Sequence, residues 1–259
     1  MSFKLDELYH INSRDRTAIS KNASNFIIDF RDPIKAKFPN SKLAVIHAIV
    51  PLTYYKVNQT NDTIKVKEGT SDTFTFKLTR GNRTNDEIMD ELNDKLNSGT
   101  LNSIVYNNTL DSLTGKITFS HVSGTGLSVT YMNTDDYFLA DDFLGLNYST
   151  DFVVPNNTPT VGGIINFSGL ADSLIVLRLL NMPSSSTYTS ESGTYSNILC
   201  QIPVNSGYSF DVINYAPLIP EQSDLNIPLQ SLNFSITDTR GLEIDFNGKN
   251  IQFDLALIH

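Results

Sequence analysis

The sequence predicts an all-β chain: a single jelly-roll β-sandwich with an inserted, mostly-β subdomain that contains one short helix. Three observations carry that prediction. Apolar residues alternate with polar ones through the closing stretch, LNFSITDTRGLEIDFNGKNIQFDLALIH, residues 232–259. Period two marks a strand with one buried face. Only 18% of the 259 residues are charged and 40% are hydrophobic, and the abundant Asn, Ser and Thr suit strands joined by polar turns better than long solvated helices. Strand-like runs begin at Phe26, Leu43, Ile164, Leu174, Ile198, Tyr208, Leu232, Leu242 and Ile251. Eight or nine strands suit two antiparallel sheets in a jelly roll.

Residues 1–25 are polar without a sustained period and are expected as an N-terminal arm or loop. Within them Asn12, Ser13, Arg14, Asp15 and Arg16 form a compact mixed-charge cluster. It reads either as a solvated turn or as an interaction segment that orders on a neighbouring subunit. Phe26, Ile28 and Phe30 alternate in a short strand that Asp32-Pro33 should end. Leu43 to Tyr55, LAVIHAIVPLTYY, is nearly continuously apolar. It is expected as a strand buried on both faces or crossing between environments, with Pro51 marking an edge or a bulge.

The pattern then changes. Thr63 to Lys67 and Thr73 to Thr79 predict a hairpin around Glu68-Gly69-Thr70. Thr84 with Glu87 predicts a capping box, and Ile88, Met89, Leu92 and Leu96 give the following helix one apolar stripe, with Gly99 as its stop. Strands are expected at 104–106, 116–120 and 127–131. A short apolar knot follows at Phe138, Leu139, Phe143, Leu144 and Leu146, and residues 151–163, DFVVPNNTPTVGG, read as a linker. The expected division is an arm at 1–25, a discontinuous jelly roll at 26–60 and 164–259, and an insertion domain at 61–163.

Later elements follow the same logic. Leu174 to Leu180 is as apolar as the Leu43 run, and residues 183–195 form a Ser-rich loop. Ile198 to Val204 and Tyr208 to Tyr215 predict a hairpin across Asn205-Ser206-Gly207, followed by a loop from Pro217 to Asp224. The closing stretch predicts a three-stranded meander. Asn247-Gly248 is its second turn, because both central positions of a type I′ turn need positive φ.

Bulk properties exclude several function classes. The net charge of −9 disfavours direct nucleic-acid binding through a basic face. Cys200 is the sole cysteine, so no intramolecular disulfide forms. No apolar signal region opens the chain, and no apolar run is long enough for a transmembrane segment. No repeat at 20–50 residues appears.

Catalytic signatures are missing as well. His10, His47, His121 and His259 are scattered, without the His pairs of common zinc sites. His47 is expected as a satisfied core histidine and Cys200 as a buried structural thiol. No nucleophile elbow, P-loop or dinucleotide fingerprint occurs. Asp135, Asp136, Asp141 and Asp142 cluster; a solvated acidic edge is the default, and a glycosidase pair would need two carboxylates facing across a cleft. A non-enzymatic structural or binding protein without cofactors is therefore expected. A carbohydrate- or receptor-binding sandwich is the alternative, motivated by 11 Tyr and 15 Phe.

Several stretches in order resemble one family. INSRDR leads into NFIIDF and KLAVIHAIVPLTYY; TFKLTRGNRTNDEIMDELNDKL is followed by TGKITFS and FLGL; the chain closes on LNFSITDTRGLEIDFNGKNIQFDLALI. This pattern resembles the penton, or minor capsid, proteins of virophages, Polinton-like elements and some giant DNA viruses. The resemblance implies a jelly roll with an insertion, five copies of which form the capsomer at each icosahedral five-fold vertex. It implies contacts with trimeric, double jelly-roll major capsid proteins, a place in the virion after assembly in the host cytoplasm or virus factory, and no small-molecule substrate. No catalytic residues come with it. The arm, residues 1–25, is similar to segments that reach the capsid interior or adjacent subunits, and Asn12, Ser13, Arg14, Asp15 and Arg16 within it are the candidate interaction residues.

Overall fold

The computed structural model describes residues 4–70, 72–132, 143–146, 150–167, 170, 173–181, 187–188, 195–196, 198–204, 212–225 and 227–259. In chain order its elements are β1 (Leu5–Asn12), a 3-10 turn (Ser13–Asp15), β2 (Asn25–Ile34), β3 (Lys42–Pro51), β4 (Thr63–Glu68), β5 (Asp72–Lys77), α1 (Asn85–Gly99), β6 (Val105–Tyr106), β7 (Thr109–Asp111), β8 (Lys116–Phe119), β9 (His121–Val122), β10 (Val129–Tyr131), β11 (Phe152–Val154), β12 (Thr160–Ile164), β13 (Leu174–Leu179), β14 (Thr187–Tyr188), β15 (Tyr195–Ser196), β16 (Ile198–Pro203), β17 (Val212–Tyr215), β18 (Gln222–Asp224), β19 (Leu229–Thr237) and β20 (Gln252–Ile258). Two compact units contain them. One comprises residues 1–54 and 170–259, the other residues 55–169.

The first unit is a jelly roll. One sheet has the order β1-β20-β3-β17, with β18 also on β3, and the other the order β16-β13-β19-β2, all antiparallel. The pairing is nested. First strand meets last, β2 meets β19, β3 meets β17 and β18, and β13 meets β16. This is one long hairpin wrapped so that β1, β2, β3 and β13 on one arm, and β16, β17 with β18, β19 and β20 on the other, alternate between the two sheets.

That nesting corrects three expectations. Residues 5–12 are not an arm but the strand that pairs with β20. Their alternation is weak because Leu5, Leu8 and His10 share the outer face while Tyr9 and Ile11 face the core. The closing stretch is not a meander: β19 and β20 lie in different sheets, and of 242–246 only Glu243 makes a bridge. The Asn247-Gly248 turn has the expected positive φ values of 51° and 77°, yet it redirects the chain between sheets instead of closing a hairpin. Likewise β16 and β17 pair with β13 and β3 respectively, not with each other; the Asn205-Ser206-Gly207 turn lies outside the described residues.

The β3 run is explained by one extra residue. Asp254 pairs with His47 and Leu255 with Val45, leaving Ile46 as a bulge. A bulge reverses which parity of side chain faces inward. Leu43 and Val45 face the core before it, and Ala48, Val50 and Leu52 after it. Alternation is lost in the sequence although each half obeys it. The bulge sits at Ile46, whereas Pro51 merely ends the strand. Similarly, β2 runs through Asp32-Pro33 to Ile34.

The core between the sheets is stapled by aromatic rings. Phe234 of β19 pairs with Phe26 of β2, their centroids 5.2 Å apart. Phe234 also meets Phe253 of the opposite sheet edge-to-face at 5.0 Å, a preferred aromatic geometry. All three rings are almost fully buried.

The second unit has its own core, with Ile64, Val66, Ile88, Leu92, Leu96, Ile117 and Phe119 among its members. The β4–β5 hairpin forms as expected. So does α1, with both halves of the Thr84–Glu87 capping box and with Ile88, Met89, Leu92 and Leu96 buried. Asn93 and Asn97, four residues apart on one helix face, pair with main chain. Asn93 donates to the Asn108 carbonyl and accepts from its N–H, both at 2.9 Å; Asn97 does the same with Tyr106 at 3.1 and 2.8 Å. Each amide thus imitates a peptide group in a ladder. The expected linker is structured: β11 pairs with β10 and β12 with β8. Gly145 is required here, since its φ is +70° and a Cβ would lie 2.5 Å from the Gly163 carbonyl oxygen. Phe143, Leu144 and Leu146 are buried; Phe138 and Leu139 lie outside the described residues.

Glu68 pins this unit. Its buried carboxylate accepts from the Leu101 and Asn102 N–H groups at 3.0 and 2.9 Å, the Asn102 amide at 3.0 Å and the Tyr106 hydroxyl at 2.8 Å. Burial raises its pKa, but hydrogen bonds from Thr100, Tyr106, Asn102 and Leu101 outweigh burial and hold it below the usual carboxylate value.

Two predictions follow from these cores. Phe234→Ala removes the ring shared by both sheets and should cost about 3–5 kcal/mol in denaturant unfolding; a loss under 1 kcal/mol would contradict its position. Glu68 contributes stability that is present above its unfolded pKa of about 4.3 and lost as pH falls through the lower folded value. Protection of the Leu101 and Asn102 amides, taken relative to their intrinsic exchange at each pH, should therefore fall on acidification in the native protein. Glu68→Gln should exchange faster at pH 7 and show a flatter response.

Candidate functional site

The surface best suited to a partner is the β1-β20-β3-β17 sheet, on its outer face and its two edges. Cross-strand neighbours on that face form a polar row. His10 Nδ1 lies 2.6 Å from Asp254 Oδ1, His47 Nδ1 lies 3.5 Å from Asp254 Oδ2, and His47 Nε2 lies 2.7 Å from Asn214 Oδ1. His47 is therefore no core histidine. The bulge at Ile46 leaves it on the outer face, about one-third exposed. Beside this row Ala44, Ala256 and Ile258 form a small buried cluster with Ile46. His259 lies 2.9 Å from Asp6 and stacks on Phe38. Lys37 meets Glu7 at 2.6 Å, and this hydrogen bond, with that from Tyr9, holds the Glu7 carboxyl below its usual value. Burial, then Glu7, pushes the Tyr9 phenol up.

The Asn12–Arg16 cluster is placed where β1 ends. The Asn12 side chain accepts from the Arg14 N–H at 2.9 Å and caps the 3-10 turn. Ser13 is fully buried. Its hydroxyl donates to Asn250 Oδ1 at 3.3 Å and accepts from the Ile251 N–H at 3.0 Å, while its own N–H donates to the Ile251 carbonyl. Arg16 donates to the Ser13 carbonyl at 2.8 Å and to Asn250 Oδ1 at 3.2 Å. Asn12 and Ser13 thus serve the fold, whereas Arg14, Asp15 and Arg16 are exposed. INSRDR and NGKN, remote in sequence, are two halves of one clamp. Asn250 went unnoticed in the sequence because it stands in the shadow of the Asn-Gly turn.

Asp238 has a comparable duty in TDTRG. Its carboxylate accepts from the Arg240 and Leu242 N–H groups at 2.9 and 3.0 Å, shaping the passage out of β19.

Other candidates have structural duties or lie beyond description. Cys200 is buried, and burial pushes its thiol up, away from a nucleophilic thiolate. Asp135, Asp136, Asp141 and Asp142 lie outside the described residues. Among the described residues no three His, Cys, Asp or Glu side chains group to hold a metal, and no helix is long and apolar enough to cross a membrane. A depression of about 450 Å³ is lined by Asn40, Ser41, Lys42, Asp224 and Leu225, with Lys42 and Asp224 at 3.9 Å. Phe38 and Tyr55 are the strongly exposed aromatic side chains among the described residues, and most of the other described rings are spent on the cores.

Ser13→Ala should leave the buried Ile251 N–H short of one acceptor and cost about 1–3 kcal/mol. Exchange of the Ile251 amide should rise more than that of amides in β13. Equal protection in variant and parent would mean that Ser13 does not clamp the β1–β20 ladder end.

No protein-family model matches the sequence, and no curated protein matches it. Thirteen chains of solved structures are similar, among them the following two. One is a chain of the Sputnik virophage solved by cryo-EM, with 13% identity, 98% of each chain covered and a TM-score of 0.45. The other is the crystal structure of the mavirus penton protein, with 12% identity, 97% of this chain and 98% of that chain covered, and a TM-score of 0.50. Over nearly its whole length, this chain shares the fold of the mavirus penton protein.

Proposed function

We propose that the protein is a structural capsid protein, five copies of which form the penton at icosahedral five-fold vertices beside trimers of a double jelly-roll major capsid protein. The observation that carries this reading is the jelly roll with a second unit between β3 and β13, matched in fold to a penton protein over 97% of the chain. Residues 55–169 act as an insertion domain of that jelly roll. In the Asn12–Arg16 segment, Asn12 and Ser13 fix the turn, and Arg14, Asp15 and Arg16 meet a neighbouring subunit. The protein resides in the virion, at the vertex, after assembly in the host cytoplasm or virus factory. It works by packing rather than by chemistry, with no substrate and no cofactor.

A cyclic assembly suits such a unit physically. Closed rings of identical chains repeat one heterologous interface, so several modest contacts act together. The test is solution mass by sedimentation or light scattering. Five chains of 28.8 kDa give about 144 kDa. A species of that mass with five-fold image averages is expected. A protein that stays near 28.8 kDa and is absent from purified virions would overturn the reading.

A further inference from the structure

The two edges of the β1-β20-β3-β17 sheet are chemically unlike. At one edge, Tyr215 of β17 pairs with Ala48 and Gln222 of β18 pairs with Ala44. Residues 216–221 must bridge only Val45–His47 of β3. Three strand residues span about 10 Å, so six linking residues have slack and arch off the edge. Pro220 is buried and Pro217 half-buried, which pins both ends of the arch. Its tip holds Leu218 at 100% and Ile219 at 85% exposure. Single exposed aliphatics are ordinary on protein surfaces. Two adjacent ones, held outward between anchored prolines, make a peg.

At the other edge, β1 pairs with β20 alone among the described residues. Leu5 and Leu8 sit opposite Ile258 and Ala256 on the outer face and are 50% and 40% exposed. They continue outward the buried apolar cluster of Ala44, Ala256 and Ile258. The backbone of this edge is guarded against strand addition by the irregularity between Leu5 and Glu7 and by Lys4, Glu7 and His10. A partner therefore meets it through side chains. Three strand spacings, about 14 Å, separate the two edges, so a chain cannot seat its own peg on its own β1 edge.

We infer that the Leu218-Ile219 tip of one copy docks on the Leu5/Leu8 edge of a second copy, head to tail. This rests on the reading that copies of the chain assemble side by side, and it names the two surfaces that meet. Each copy carries one peg and one seat, the arrangement that a heterologous ring needs.

The test uses the intact chain with one added cysteine. Cys200 is buried and does not compete. Leu8→Cys and Ile219→Cys, each made alone, are mixed and treated with a short bis-maleimide. A covalent dimer of twice 28.8 kDa is expected in the mixture and not in either variant by itself. No dimer in the mixture, or equal dimer within each variant alone, would overturn the proposal. The mass of the parent protein separates this outcome from the penton reading. A 144 kDa parent without the cross-link rejects the peg and leaves the pentamer standing. A cross-link with only open dimers and trimers keeps the peg and rejects the ring. A monomer without a cross-link rejects the peg, and absence from purified virions then rejects the penton reading as well.

Discussion

Everything in the jelly roll depends on β20 being held between β1 and β3. Its inward residues Phe253, Leu255 and Leu257 supply one side of the core, and its outward Ala256 and Ile258 underlie the small cluster on the opposite face. A strand buried on both faces needs ladder partners on both edges, because water cannot satisfy its peptide groups. Antiparallel pairing supplies them from Leu5–Asn12 on one side and Lys42–Ile49 on the other. The Ser13–Asn250–Arg16 clamp closes the end of the first ladder, where fraying would begin. Ser13 is buried because it is the last link of that closure.

The helix, the β4–β5 hairpin and the alternation of β19 were legible because their determinants are local. A capping box, an i, i+4 stripe and a hairpin turn each act within a few residues. The jelly-roll pairings were not legible in the same way, because almost every partner lies far away in the chain. The Asn-Gly pair shows the difference. It specified its own dihedral angles and said nothing about which strands would flank it. In β3 a single bulged residue erased a period that each half keeps. In β1 the inward Tyr9 and Ile11 share the strand with outward Leu5 and Leu8, so neither face stood out.

The functional surface was legible only as an ordered set of motifs. Each resolves into a structural duty. Ser13 and Asn250 form a clamp, Asp238 shapes the exit from β19, Gly145 permits two backbones to approach, and Asn93 and Asn97 impersonate peptide groups. Such residues define how the fold is tied together rather than what it touches. The proposed contact surface rests instead on exposed residues such as Leu218 and Ile219, which the sequence displays only as two aliphatics between prolines.

The nested order of pairing has a consequence for vectorial synthesis. The described strands β4–β12 pair only with one another, so this stretch can complete its sheets while the ribosome is still translating β13 onward. β1 cannot. At about 5–20 residues per second, the roughly 240 residues between its end and the start of β20 take about 12–48 s to make. Throughout that interval an early strand waits beside an unfinished sheet. Charged and polar residues interleaved along β1, from Asp6 and Glu7 to His10 and Asn12, keep a waiting strand soluble where a purely apolar one would aggregate on the polysome.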